Sequence, residues 1–201
     1  MQKMFIRNFL IFSAILFACS AGIGYLLITG ERQIDKSDGW VLHTHKVIIE
    51  SEALNSLVAS MLAGQRGYLL SNDKSFLDNY EEKKAELSQK IAILSALTAD
   101  NASQQSRLDE IRQYSIRFSQ QLEETAQAKA GKTNSRGLND VQIIDDLKNN
   151  IRRVNANFLE EEYALLDKRV KILESRKQQY FLTLLIGGTT AIILLMIFNA
   201  Y

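Results

Sequence analysis

Apolar residues dominate the two ends of the chain, whereas charged residues fill the region between them. No Asp, Glu, Lys or Arg occurs from Phe9 to Thr29 or from Tyr180 to Phe198. A helix over the first of these segments would be roughly 31 Å long, about the thickness of the hydrocarbon core of a bilayer. We therefore predict two transmembrane helices, 9–29 and 180–198, with residues 30–179 between them.

Basic residues at the N-terminus predict the orientation of these helices. Lys3 and Arg7 precede the first apolar segment, and positive charge marks the cytoplasmic side of a membrane helix. Residues 1–8 and 199–201 are therefore expected in the cytoplasm. Residues 30–179 are expected in the periplasm or outside the cell, and the membrane is expected to be the bacterial inner membrane.

The first apolar segment has two other interpretations. A cleaved signal peptide normally has a shorter apolar core than residues 9–29. A lipoprotein signal is suggested by Leu16–Cys19, although Phe17 is bulky for that motif and the residues after Cys19 stay apolar. Both are less favoured than a membrane span, in which Cys19 would be a small buried or lipid-facing residue. The lack of cysteine in residues 30–179 is typical of an oxidising compartment.

A heptad pattern follows the first apolar segment. Its members are Trp40, Val47, Leu54, Met61 and Tyr68. This spacing places them on one face of a helix over about residues 33–70, which is expected to be continuous with the first span. Ser71–Asp73 interrupts the pattern.

Three further amphipathic helices are predicted after this break. Ser75 is the expected N-cap of the second helix, and Asp78 would complete a capping box. The third helix is expected from about Ser103 and the fourth from about Asp140, with a loop at residues 131–137 between them. The apolar positions are Phe76, Leu77, Tyr80, Leu87, Ile91, Leu94 and Leu97 in the second helix, Leu108, Ile111, Phe118 and Leu122 in the third, and Ile144, Leu147, Ile151, Val154, Phe158 and Leu165 in the fourth.

The predicted fold class is therefore all-α. Two transmembrane helices bracket an antiparallel four-helix bundle, and the first and last helices of the bundle are continuous with the spans. The chain of 201 residues contains no proline, so long uninterrupted helices are permitted throughout. Such helices could carry a small displacement across a membrane.

Composition excludes several classes of function. The net charge is +1 and the single cysteine leaves no disulfide framework or cysteine-ligated zinc site. We expect no nucleic-acid partner, no cofactor, no metal site and no catalytic residues, because the chain has no phosphate-binding loop or recognised catalytic motif. His43 and His45 point about 200° apart on a helix, which disfavours a shared metal ion. Glu81–Lys84 and Glu160–Glu162 are interpreted as solvated helix faces.

The segment Gly64–Leu70 contains the candidate site residues. Gly64 and Gly67 each cost roughly 1 kcal/mol in a helix, so close packing or the approach of a ligand should explain them. Arg66 could bind a carboxylate or phosphate, or it could form an ion pair with an acidic residue on a neighbouring helix; the second alternative is favoured. Gln65, Arg66 and Tyr68 are the candidate ligand-binding or switch residues.

Three motifs in order resemble a known family. They are Gly64–Leu70, then Phe76–Tyr80, and then Leu97–Asn101 with Gln104, Gln105, Arg107 and Leu108. Between two predicted spans this order resembles the third family of CHASE domains, over about residues 35–175. The resemblance implies an extracytoplasmic sensory bundle of a bacterial receptor that works as a homodimer and signals to a histidine kinase or a nucleotide cyclase. The chain departs from that pattern because it stops at Tyr201, without an output domain.

The leading hypothesis is thus a transmembrane sensory input module of a two-component histidine kinase, which passes on an extracytoplasmic cue by helix displacement. Its expected partners are membrane lipid, a second copy of the chain, and an output domain in cis or a membrane partner in trans. The alternative is a stand-alone two-span accessory protein that binds a membrane partner. No residues support an enzyme.

Overall fold

A computed structural model describes residues 2–131 and 138–200, and over these residues the chain is helical without a strand. The α-helices are α1 (Gln2–Ser71), α2 (Tyr80–Leu97), α3 (Ala102–Lys129) and α4 (Leu138–Ala200), and a 3₁₀ helix covers Lys74–Leu77. The predicted all-α class is confirmed. The end of the predicted loop, residues 132–137, lies outside the described residues.

The chain divides into two compact units, His43–Leu166 and Met1–Leu42 with Asp167–Tyr201. Helices α1 and α4 each contribute residues to both units, as expected for bundle helices continuous with the apolar ends. The unit His43–Leu166 also contains α2 and α3, and it is called the bundle below.

The core of the bundle is built from the predicted apolar faces of all four helices. Its completely buried side chains include Leu54 of α1, Leu94 of α2, Phe118 of α3 and Phe158 of α4. Burying side chains of this size contributes about 1.5–3 kcal/mol each relative to leaving them exposed. The periodicity of the sequence predicted these four core positions.

Trp40 is the exception to the heptad, because its side chain is 42% exposed. The unit that contains Trp40 consists only of α1 and α4 residues, and two helices cannot enclose an aromatic ring as four can. The Arg169 guanidinium instead lies 4.8 Å from the centre of the Trp40 ring, within the range of a cation–π contact. Trp40 therefore continues the predicted heptad face but is not a core residue.

The start of the second helix also differs from the prediction. The N-cap of the 3₁₀ helix is Asp73, whose carboxylate accepts a hydrogen bond of 2.9 Å from Ser75 N. Asn79 then adopts a left-handed conformation with φ of 63°, and α2 begins only at Tyr80. Ser75 is therefore not the N-cap of α2, and Phe76 and Leu77 belong to a separate turn.

The connection between α2 and α3 is held by Gln105. Its Nε2 donates to the carbonyl oxygens of Ser95 and Thr98, at 2.9 Å each. The Ser95 hydroxyl donates to Gln105 Oε1 at 2.7 Å. These bonds satisfy two carbonyls at the C-terminus of α2, which otherwise lack partners within the helix.

The apolar ends of α1 and α4 form the second unit. Both helices are long and apolar enough to cross a membrane, by length and composition. Small residues permit close approach of the two helices, since a Cβ at Gly30 would lie 2.9 Å from the Tyr180 ring and one at Gly187 would lie 2.8 Å from Ile23.

Candidate functional site

A cavity of about 450 Å³ lies in the bundle where α1 ends and α2 begins. The end of α1, the 3₁₀ helix, the first turn of α2 and the C-terminal half of α3 line it, and it is open to solvent. Its lining residues are Gln65, Leu77, Asp78, Asn79, Tyr80, Glu81, Glu82, Leu122, Glu123, Ala126 and Gln127. We call it the α1–α3 cavity.

Gln65 is the most unusual residue of this cavity. Its side chain is only 2% exposed, and its Nε2 has no hydrogen-bond partner within residues 2–131 and 138–200. Buried amide groups are almost always paired, because an unmet donor costs about 1–3 kcal/mol. Gln65 Nε2 is therefore a buried donor without an acceptor among the described residues.

Acidic side chains surround the cavity. Asp78, Glu81, Glu82 and Glu123 line it, and its lining contains neither lysine nor arginine. Lys84, which is not among the lining residues, forms an ion pair with Glu123. Its Nζ also lies 3.9 Å from Glu81 Oε2. The residues that line the cavity therefore carry net negative charge.

Tyr80 forms part of the wall as a neutral group. Its hydroxyl donates a hydrogen bond of 2.9 Å to Ser119 O of α3. Burial, together with the nearby Glu123 carboxylate, raises the pKa of Tyr80 well above its ordinary value of 10.0. The phenol thus stays protonated at physiological pH and joins α2 to α3.

Two glycines of α1 allow the 3₁₀ helix to lie against it. A Cβ at Gly64 would come within 2.8 Å of Phe76 O, and a Cβ at Gly67 would overlap the Phe76 ring. Of the two explanations offered for these glycines, close packing is the one that the structure shows. This contact places Leu77 and the following residues beside Gln65.

The three predicted site residues do not converge. Gln65 lines the cavity, but Arg66 and Tyr68 are not among its lining residues. Arg66, half-exposed, donates from Nη2 to Asp145 Oδ1 of α4 at 2.7 Å. This is the ion pair to a neighbouring helix that was favoured for Arg66. Tyr68 is a buried core residue. A ligand-binding role for Arg66 or Tyr68 stays a prediction.

A polar network between α3 and α4 was missed from the sequence. Gln104 Nε2, inside the bundle, donates to Glu162 Oε1 at 2.8 Å and to Phe158 O at 3.1 Å. Glu162 is only 3% exposed, so the interpretation of Glu160–Glu162 as a solvated face is wrong at this residue. The sequence offered one indication of a structural role for Gln104, which is its position three residues after the N-cap residue Asn101.

Glu161, the neighbour of Glu162, binds the N-terminal turn of α3. It accepts a hydrogen bond from Asn101 Nδ2 at 2.9 Å and forms an ion pair with Arg107. The bond from Asn101, assisted by Arg107, holds the pKa of Glu161 below its ordinary value, against the opposing effect of partial burial. Asn101 is also the N-cap of α3, with its Oδ1 accepting from Gln104 N.

The described residues contain no group of three or more His, Cys, Asp or Glu side chains that could hold a metal ion. His43 is partly buried and His45 is exposed. The acidic groups of the α1–α3 cavity are thus distributed around it instead of converging on one point.

Comparison with known protein families gives a match over most of the chain. A profile described as the CHASE3 domain matches residues 37–171, and the two candidate membrane helices flank that range. No curated protein and no solved structure matches the chain significantly.

Proposed function

Because the chain belongs to the CHASE3 domain family, we propose that it is the transmembrane input module of a bacterial sensor histidine kinase. Members of this family are extracellular sensory domains of signalling receptors such as histidine kinases and cyclases. The family match over residues 37–171, between two candidate membrane helices, carries this proposal. The module would lie in the inner membrane with both termini cytoplasmic and the bundle in the periplasm.

Displacement between α1 and α4 is the proposed means of transmission. Both helices extend from the bundle into the apolar unit without a break in their helical hydrogen bonding. A cue that favours one packing of the bundle over another would therefore act on both membrane segments. The two packings need to differ by only a few kcal/mol.

We further propose that the module acts as a homodimer. Positions seven residues apart on α1 form an exposed stripe of apolar and small residues within the bundle: Ile49, Ser56, Ala63 and Leu70. Ile49 is 62% exposed and Leu70 is 89% exposed. Two copies in one membrane would be parallel, so the same stripe could pack on itself in register around a two-fold axis.

Topology is tested by labelling intact cells. In a Cys19→Ala background, a single cysteine introduced by Gln113→Cys on the exposed face of α3 should react with a membrane-impermeant maleimide. Labelling of this position only after the inner membrane is permeabilised would contradict a periplasmic bundle.

The dimer is tested in the same background. Ser56→Cys should form a disulfide-linked dimer in membranes under mild oxidation, whereas Gln113→Cys, exposed on α3 outside the stripe, should not. Equal crosslinking at both positions would indicate random collision, and no crosslinking at Ser56→Cys would exclude the stripe as the interface.

Signalling is tested with a chimera in which the full chain is joined at Tyr201 to the kinase core of a receptor with a known transcriptional reporter. Arg66→Ala removes the ion pair to Asp145 and should lock or abolish the kinase output while leaving the helical circular dichroism intact. Arg112→Ala, which removes an ion pair to Asp109 on the same helix, is the matched control. Unchanged output in a stable Arg66→Ala chimera would contradict a switch role for Arg66.

A further inference from the structure

We propose that a layer of polar side chains inside the bundle is the switch at which α3 and α4 separate during signalling. One buried polar residue from each helix forms this layer, at the end of the bundle where α1 enters and α4 leaves. We call it the polar layer, and its members are Thr44, Thr98, Gln104 and Glu162. The proposal rests on the proposed sensory function, because it names the place where the bundle would change its packing.

Hydrogen bonds place three members of the polar layer at one level of the bundle. Gln104 Nε2 of α3 donates to Glu162 Oε1 of α4 at 2.8 Å. The next residue, Gln105, donates from Nε2 to Thr98 Oγ1 at 3.1 Å, at the C-terminus of α2. The ends of α2, α3 and α4 are therefore joined here through polar side chains.

Helix geometry places Thr44 at the same level. Helices α1 and α4 are antiparallel in the bundle, and Ser51 of α1 bonds to Asn155 of α4. Thr44 lies seven residues before Ser51, and Glu162 lies seven residues after Asn155. Because two turns along either helix cover the same distance, Thr44 is level with Glu162.

The neighbouring layer of the core is entirely apolar. Its members lie three or four residues from those of the polar layer and are completely buried: Val47, Leu94, Leu108 and Phe158. Separating this apolar layer would expose hydrocarbon to water. The polar layer can instead exchange its hydrogen bonds for bonds to water at a small net cost. The core is therefore easiest to open at the polar layer.

Arg107 connects the polar layer to the surface of the bundle. Its Nη1 donates to Gln104 Oε1 at 2.9 Å and forms an ion pair with Glu161 of α4. The side chains of Arg107 and Glu161 are 28% and 32% exposed, so water reaches the edge of the layer. An ion pair in contact with water holds two helices together only weakly.

The polar layer lies where a change of packing would act on both long helices. Thr44 is next to His43, the first residue of the bundle, and Glu162 precedes its last residue, Leu166, by four positions. Helices α1 and α4 both continue beyond these residues into the apolar unit. Polar groups at core positions also select one packing over another. Opening of the polar layer would thus free the last turns of the bundle while the apolar layers stay packed.

Cysteine reactivity tests whether the polar layer opens. In a Cys19→Ala background, Thr44→Cys places a thiol in the polar layer and Val47→Cys places one in the apolar layer, both at completely buried positions. The full chain in nanodiscs is treated with methyl methanethiosulfonate, and the modification is followed by intact mass. We expect Thr44→Cys to react at least about tenfold faster than Val47→Cys, because a buried thiol reacts only when its surroundings open.

The comparison is repeated on α2 with Thr98→Cys and Leu94→Cys in the same background. Thr98 belongs to the polar layer and Leu94 to the apolar layer, and both are buried. The same order of rates is expected, and this pair decides the test if Thr44→Cys does not fold.

Replacement of the central hydrogen bond tests its cause. Gln104→Leu combined with Glu162→Leu puts apolar side chains of similar volume into the layer. The double variant should have a higher thermal midpoint, as found when buried polar pairs are replaced by apolar residues. It should also slow the reaction of Thr44→Cys about tenfold, to the rate of Val47→Cys.

Glu110→Leu combined with Gln113→Leu is the matched control. It changes the same two residue types at exposed positions of α3, and it should alter neither thiol rate. In the kinase chimera, Gln104→Leu with Glu162→Leu should change the basal reporter output at least about fivefold, the lower end of typical couplings between sites. The control should leave that output unchanged.

Three results would overturn the proposal: equal rates for the folded polar-layer and apolar-layer thiols, a polar-layer rate that the two leucines do not slow, or an unchanged chimera output in the leucine variant. If Arg66→Ala changes the output but the leucine variant does not, the sensory function stands and the polar layer is excluded as its switch. If neither changes the output, both proposals fail.

Discussion

Ser51 of α1 and Asn155 of α4 exchange two hydrogen bonds in the interior of the bundle. The Ser51 hydroxyl donates to Asn155 Oδ1 at 2.8 Å, and Asn155 Nδ2 donates to the Ser51 carbonyl at 3.0 Å. Both residues are completely buried. Because the second bond reaches the backbone of α1, the pair fixes the axial position of α1 relative to α4 at this level of the bundle.

The Ser51–Asn155 pair should show strong energetic coupling. Ser51→Ala leaves the Asn155 amide short of a donor and should lower the free energy of unfolding by about 1–2 kcal/mol; Asn155→Ala should cost about 2–3 kcal/mol. The double variant should cost at least about 1 kcal/mol less than the sum. Urea unfolding of the solubilised chain, followed by circular dichroism, provides the measurement.

Ser60→Ala serves as the control for that cycle. Within the described part of the chain its hydroxyl bonds to Leu57 O of its own helix alone, so the loss should be small and independent of Asn155. Strict additivity of the Ser51 and Asn155 variants would show that the two side chains act independently of each other.

The contact between Gly64 and Phe76 predicts opposite effects for two glycine substitutions in α1. At Gly39 a Cβ would meet nothing within 4 Å, so Gly39→Ala should stabilise the helix by up to about 1 kcal/mol. Gly64→Ala gains the same helix propensity but forces the Phe76 carbonyl away from α1. We expect a net loss of about 1–3 kcal/mol. Comparison of their thermal midpoints tests this, and stabilisation by Gly64→Ala would contradict the close packing.

The depressed pKa of Glu161 predicts a stability that depends on pH. A carboxylate whose pKa is lower in the folded than in the unfolded chain stabilises the fold above the unfolded pKa, and this contribution is lost as the pH falls through the folded value. Glu161→Gln should therefore destabilise the bundle by about 1 kcal/mol at pH 7. Below the ordinary value of 4.5, the difference from the natural chain should shrink steadily.

Glu110→Gln, at an exposed position of α3, provides the baseline for this titration. A difference between the natural chain and Glu161→Gln that stays constant from pH 7 into the acid range would mean that the Glu161 charge contributes nothing to stability.

The raised pKa of Tyr80 predicts a loss of stability in alkali. The unfolded tyrosine ionises near its ordinary pKa of 10.0, whereas the half-buried Tyr80 of the folded chain has a higher pKa. Unfolding therefore releases a proton above that pH and becomes more favourable as the pH rises. Tyr80→Phe should cost about 1 kcal/mol at pH 7, because Ser119 O loses its donor, and should show a weaker alkaline decline. An equally steep decline in both proteins would place Tyr80 in solvent.

Much of the bundle could be predicted because helix periodicity and core packing depend on the same residues. Val47, Leu54, Met61 and Tyr68 are spaced every seven residues and are buried. Trp40 continues the spacing but not the burial, because a heptad indicates which face is apolar and not how many helices cover it. The number of neighbours is a tertiary property.

The site was less predictable for a related reason. Gln65 was chosen from its position between two glycines, yet its importance comes from an amide without an acceptor, which depends on every element around it. Asn79, the residue before α2, adopts a left-handed conformation that asparagine tolerates but does not require. Glu162 is buried where it accepts a hydrogen bond from Gln104, a residue 58 positions away in the chain.

The Gln105 contacts at the α2–α3 connection influence the order of folding. They join residues no more than 10 positions apart. The hydrogen bond between Ser51 and Asn155, in contrast, joins residues 104 positions apart. Since short loops close fastest, the α2–α3 hairpin should be the earliest tertiary structure to form. On the ribosome, the apolar face of α1 therefore emerges first. It is fully covered only after α4 has been synthesised, so the nascent chain exposes part of that face until then.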